Sequence, residues 1–225
     1  MKKVLFIVTS AKKMGDSETG IWFEELSTPY YVLTDAGVQV DIASPKGKGV
    51  HFAPGSLSPE NLIVSVKKFR DDKFAMNKVE HTKLLKLLDL NDYHAVFFPG
   101  GHGAVVDLPD DKFLEDNLGN YFDTGKPVAA ICHGPGGLVK ARKHDGTSIV
   151  EGRRVTCFTN SEEKSIGVDK KVPFLLESRL RDLGGKFECG PDFQEFAIRD
   201  GNLITGQNPA SSKICAELLL EVLKD

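Results

Sequence analysis

Twelve residues in the second half of the chain, 126–137, leave little choice of architecture. They read Lys-Pro-Val-Ala-Ala-Ile-Cys-His-Gly-Pro-Gly-Gly. Residues 128–131 form an apolar run of a length that suits a buried strand. Cys132 and His133 follow, then a cluster of Gly and Pro, and residues 138–143 read as a helix. Ala130 lies two residues before the cysteine and Gly134 two after. That spacing of small residues meets the steric demand of a nucleophile elbow, a sharp strand-to-helix turn that lifts one side chain out of a sheet. A helix N-terminus behind the sulfur would favour the thiolate. The competing reading, an inert core cysteine at a strand end, does not account for the histidine and the small residues together.

The rest of the chain agrees with an α/β protein. Its 225 residues suffice for one large domain or two small ones. A net charge of −3 gives no nucleic-acid or anionic-membrane surface. No apolar run reaches the roughly 18 residues of a membrane span. The start, Met1-Lys2-Lys3 before residues 4–8, turns polar too soon for a signal peptide and reads as a first strand. Cys132, Cys157, Cys189 and Cys215 are widely spaced without a CxxC pair, which suggests free thiols in a reducing cytoplasm.

Strand 3–10, helix 21–36 with Trp22, Leu26, Tyr30 and Leu33 on one stripe, and strand 38–44 form a first βαβ unit. Pro29 falls inside that helix, where a kink is expected. Residues 46–75 interrupt the alternation and suggest a lid or rim inserted into a domain spanning 1–225. Leu84, Leu85, Leu87 and Leu88 predict a helix over 77–90. Strand 95–98 ends in Pro99-Gly100-Gly101-His102-Gly103. Helix 110–123, the elbow strand, strand 155–158, helix 172–183, strands 187–198 and 203–205, and helix 210–223 complete the pattern. In a mostly parallel sheet of this kind ligands bind beyond the carboxyl ends of the strands.

Several candidates fall on that side. Cys132 is the candidate nucleophile. Adjacent side chains on a tight turn diverge, so His133 is expected along the rim, oriented by Glu163 or its neighbour Glu162. Gly101 and His102 follow a buried strand, and the Gly101 and His133 N–H groups form a candidate oxyanion pair. Gly134 joins them in the turn. Glu24 and Glu25 on the first helix read most simply as two solvated glutamates; Glu25 falls beside the buried stripe, where a carboxylate would be costly unless protonated or paired.

These residues carry a family resemblance. Segments 129–135, 98–103, 19–26, 155–168 and 205–211 make the chain similar to the DJ-1/PfpI superfamily, and within it to the Hsp31-like class of glyoxalases and chaperones. The resemblance spans nearly the whole chain. It implies a flavodoxin-like three-layer α/β/α sandwich, a homodimer and an extra segment over the active site. It also places the family's catalytic cysteine on Cys132, its histidine on His133, its conserved acid on Glu25 and its triad carboxylate on Glu163. No cofactor or metal is carried over; His51, His81, His94 and His144 have no ligand spacing.

The expected activity is glutathione-independent conversion of methylglyoxal, a small dicarbonyl, to lactate through a cysteine hemithioacetal, with repair of glycated side chains as related chemistry. A holdase-type stress chaperone and a cysteine peptidase or amidase are the alternatives. An amidotransferase triad lacks its distant histidine, since only His144 follows His133. A flavodoxin-type flavin site in loop 9–20 is the outlying reading.

Overall fold

The computed structural model describes residues 1–224. In chain order it contains β1 (Lys3–Ile7), a small hairpin of β2 (Lys13–Met14) and β3 (Ser17–Glu18), α1 (Phe23–Asp35), β4 (Gln39–Ser44), α2 (Val64–Asp71) and α3 (Lys73–Glu80). Next come β5 (Lys83–Leu84), β6 (Ala95–Phe98), α4 (Ala104–Asp107), α5 (Lys112–Asp123) and β7 (Val128–Ile131). The last part holds β8 (Arg154–Val155), α6 (Asn160–Ser165), α7 (Leu176–Asp182), β9 (Lys186–Phe187), β10 (Ala197–Asp200), β11 (Leu203–Gly206) and α8 (Ser212–Lys224).

Seven strands form the central sheet in the order β10-β11-β7-β6-β1-β4-β5. All neighbours are parallel except the β10–β11 hairpin, which turns at Gly201. Sheets of this kind are covered on both faces, so their strands are apolar throughout rather than alternating. In β1, Val4 and Phe6 pack with α1, α2 and α8, whereas Leu5 and Ile7 pack with α5 and α7. The result is the flavodoxin-like α/β/α sandwich. The order reverses between β1 and β6, and the loops after those strands border the crevice at this reversal.

Four local expectations are corrected. Residues 77–90 are not one helix. Asp72 accepts hydrogen bonds from the Phe74 and Ala75 amides and starts α3 early. The leucines then serve an edge strand and a 3₁₀ turn, Leu85–Leu87, that buries Leu85 and exposes Leu87. Residues 138–143 are not an α-helix either: Gly134–Leu138 is a 3₁₀ turn, followed by irregular chain against α5. There a methyl group on Gly119 would lie 1.6 Å from the Arg142 carbonyl. The expected strand 155–158 shrinks to β8, which pairs only with β9, because the Thr156 amide donates to the Thr205 hydroxyl instead. The stretch 187–198 is broken by a turn in which Phe193 has φ +60°.

Residues 46–75 pack on α1. Phe52 stacks on Phe23 at 3.9 Å, and Phe69 meets Phe23 and Tyr30 edge-on. Gly55 lies against the Trp22 ring, so this segment backs the indole from behind.

Candidate active site

β7 delivers its chain to Cys132, whose φ of +57° places it in the left-handed region that non-glycine residues seldom occupy. The turn is held from both sides: the Cys132 amide donates to the Gly206 carbonyl at 2.9 Å, and the Phe158 amide donates to the Cys132 carbonyl at 3.0 Å. It must pass close to β6, where a methyl group on Gly134 would lie 2.1 Å from the Phe98 carbonyl oxygen. Gly134 therefore serves packing. Strain kept by such constraints is characteristic of functional positions. The sulfur's polar surroundings are side chains and loop amides, not the end of a long helix. They are the Glu25 carboxyl, the Gly101 N–H and the His133 ring.

His133 does not diverge along the rim. Its Nδ1 lies 3.2 Å from the Cys132 Sγ, and its Nε2 lies 2.6 Å from Glu163 Oε1. Burial, and secondarily the charge of His102, pulls its pKa down to about 4, so the ring is neutral near pH 7. Burial alone would raise Glu163, but hydrogen bonds from His102 and His133 outweigh it and hold the carboxyl down at about 2. An ionised carboxylate can only accept, so His133 Nε2 carries the ring hydrogen and Nδ1 turns its lone pair to the sulfur.

Glu163 reaches this place from α6. That helix begins with a capping box in which the Thr159 hydroxyl accepts from the Glu162 amide and Glu162 Oε2 accepts from the Thr159 amide. The other Glu162 oxygen accepts from the Phe193 amide, Gln207 and Asn208. Glu162 is thus occupied as a structural hub, and Glu163 is the carboxylate that meets the imidazole.

Glu25 is fully buried on the inner face of α1, and its Oε2 accepts from the Gly100 amide at 2.9 Å. Burial pushes its pKa well above the ordinary range despite contact with the Cys132 thiol. Its Oε1 finds no nitrogen or oxygen partner among the described residues. Burial likewise raises the thiol, and a charged Glu25 would raise it further. The two acids therefore compete for a proton. Glu24 next door is pushed up to about 7 by burial.

A cavity of about 140 Å³ opens beside the sulfur. It is lined by Glu25, Gly101, His102, Cys132 and His133 together with the apolar or aromatic Trp22, Phe158, Ile166, Phe193 and Pro209. None of its lining residues comes from 46–75. No sequence pattern marks the apolar side of the cavity, because its members come from distant parts of the chain. Nor did it show that His102 Nε2 lies 3.1 Å from Glu163 Oε2, with its ring 4.0 Å from that of His133. One carboxylate thus receives two imidazoles. The donor atoms of His102, His133 and Glu163 all lie within 4.8 Å of one another, a grouping that could hold a metal ion and that no sequence spacing displays.

Comparison with known proteins gives the family. The sequence profile of the DJ-1/PfpI family matches residues 2–223. The chain belongs to the DJ-1/PfpI family. Within the family it is 31% identical to the glutathione-independent glyoxalase HSP31 of Saccharomyces cerevisiae, over all of this chain and 99% of that protein. Among solved structures, the 24 kDa rapid encystment protein of Francisella tularensis superposes with a TM-score of 0.94 at 32% identity, covering 99% of each chain. Glyoxalase III of Candida albicans superposes with a TM-score of 0.89 at 27% identity, covering 98% of this chain and 96% of its own.

Proposed function

We propose that the chain is a glutathione-independent glyoxalase that converts methylglyoxal to lactate. The observation that carries the reading is the unbroken line from Cys132 Sγ through the two nitrogens of His133 to Glu163, opening on a small, largely apolar cavity. At about 140 Å³ the cavity is well below the roughly 300–1,000 Å³ of sites for drug-sized ligands, which favours a substrate of a few heavy atoms over a peptide. The same relation to named glyoxalases supports it.

In the proposed reaction the sulfur attacks the aldehyde carbon and its proton passes to His133 Nδ1. The carbonyl oxygen, held by the Gly101 and His133 N–H groups, takes up that proton and becomes the hydroxyl of a hemithioacetal. Removal of the hydrogen on that carbon gives an enediol, and protonation at the neighbouring carbon gives a lactoyl thioester. Water then releases lactate and restores the thiol. Glu163 stabilises the imidazolium formed on the way, as a buried carboxylate does for a catalytic histidine. Glu25, protonated, donates to the sulfur and keeps repulsive charge away from it. The Trp22 indole N–H, buried and without an acceptor among the described residues, is a free donor for the substrate's second carbonyl. A homodimer remains the proposed assembly.

Purified protein should form lactate from methylglyoxal without glutathione. Cys132→Ala should abolish it, and Glu163→Gln should lower kcat by roughly 10²–10⁴-fold by removing the group that fixes the ring tautomer. Turnover that survives Cys132→Ala removes the mechanism.

A further inference from the structure

We propose that this site also binds a divalent transition-metal ion of the zinc type, held by His102, His133 and Glu163, and that the bound ion switches the enzyme off. The binding stands on the three donors alone; the inhibition rests on the glyoxalase reading.

Two imidazoles and a carboxylate form a donor set that suits zinc and its neighbours. All three ligand-capable atoms lie within 4.8 Å of one another. An ion bonded to nitrogen and oxygen at about 2.0–2.2 Å separates those donors by about 3.3 Å. His102 Nε2 and Glu163 Oε2, at 3.1 Å, are already near that spacing. His133 Nε2 and Glu163 Oε1, at 2.6 Å, must part by less than about 1 Å. The adjoining cavity can supply water as a fourth ligand, and His102, with about a fifth of its side chain exposed, lines it.

The two nitrogens of His133 face opposite ways, so Cys132 lies on the Nδ1 side and the ion on the Nε2 side. Cys132 is therefore not a ligand. A metal ion on Nε2 moves the ring hydrogen to Nδ1, where it points at the sulfur. The lone pair that takes the thiol's proton is gone. The ion also occupies Glu163, the carboxylate that would stabilise an imidazolium. Binding and turnover are thus mutually exclusive through one tautomer change, with no net proton released from the ring.

The test uses the full chain with Co²⁺ as the optical probe and Zn²⁺ in calorimetry. The expected result is one ion per chain, with visible ligand-field bands but no thiolate-to-cobalt charge-transfer band. Cys132→Ser should retain this spectrum. His102→Ala, and separately His102→Gln, should weaken affinity more than about tenfold, with circular dichroism confirming the fold of each. Lactate formation should fall in proportion to Zn²⁺ occupancy and return with EDTA. A folded wild-type protein that binds no ion overturns the proposal. So does a thiolate band lost in Cys132→Ser, or affinity unchanged in both His102 variants. Full turnover at Zn²⁺ saturation overturns the switch. The optical arm decides the site even if methylglyoxal proves not to be a substrate.

Discussion

Glu25 is a carboxyl group kept where its ionised form is unfavourable. Its pKa is raised by burial, so folding withholds a charge that the unfolded chain would carry above the ordinary value of 4.5. The stabilising share of this residue is present below pH 4.5 and is lost as pH rises. Glu25→Gln, neutral at every pH, should therefore melt higher than wild type near pH 8, with the gap closing toward pH 4.5, while lactate formation falls. Thermal scans across that range check it. His133 carries the opposite sign. With its pKa drawn down to about 4, the acceptor at Nδ1 is lost only as pH falls through that value. The acid limb of kcat/KM should lie near pH 4, not near the 6.5 of a free imidazole, and a rate profile reads this directly. The cysteine and the glycine turn were legible in the sequence as types at fixed spacings, and the inner carboxyl only through the family resemblance. The contact between Cys132 and His133 was not. The rule that neighbouring side chains diverge assumes ordinary backbone, and the left-handed turn at Cys132 sets it aside.

At the scale of elements, β1, β4, β6, β7 and β11 were readable because buried parallel strands are short, continuously apolar and closed by glycine or polar turns. The leucines after α3 and the chain after the elbow were misread for one reason. Apolar residues at mixed three- and four-residue spacing serve an edge strand or a 3₁₀ turn as well as a helix, and packing decides between them. The loop after β6 is the element on which the site most depends. Gly101 has φ +96°, and a methyl group there would lie 2.4 Å from both the Gly20 oxygen and the Trp22 nitrogen. Gly101→Ala should cost at least about 1–3 kcal/mol and most of the activity. Gly125, at φ +82° with open space around it, isolates the backbone contribution. Gly125→Ala should cost only about 1–2 kcal/mol and leave turnover intact. Denaturant unfolding of the pair separates conformational strain from collision.

Over the whole molecule, the family resemblance and the alternation of strands and helices gave the architecture, but not which distant segments meet. Glu25 reaches Gly100 across 75 residues of sequence, and Glu163 lies 61 residues from His102 and 30 from His133. No local pattern encodes such pairings; they exist only once β1, β6 and β7 lie side by side and α1 and α6 have docked at their ends. Long-range closures of this kind are late events in folding. During refolding from denaturant, helical circular dichroism should therefore return ahead of lactate formation, and a stopped-flow comparison of the two signals reads the interval. Catalysis in this chain acts as a certificate of completion: a partly assembled sandwich can be compact and helical, yet chemically silent toward the reactive aldehydes around it.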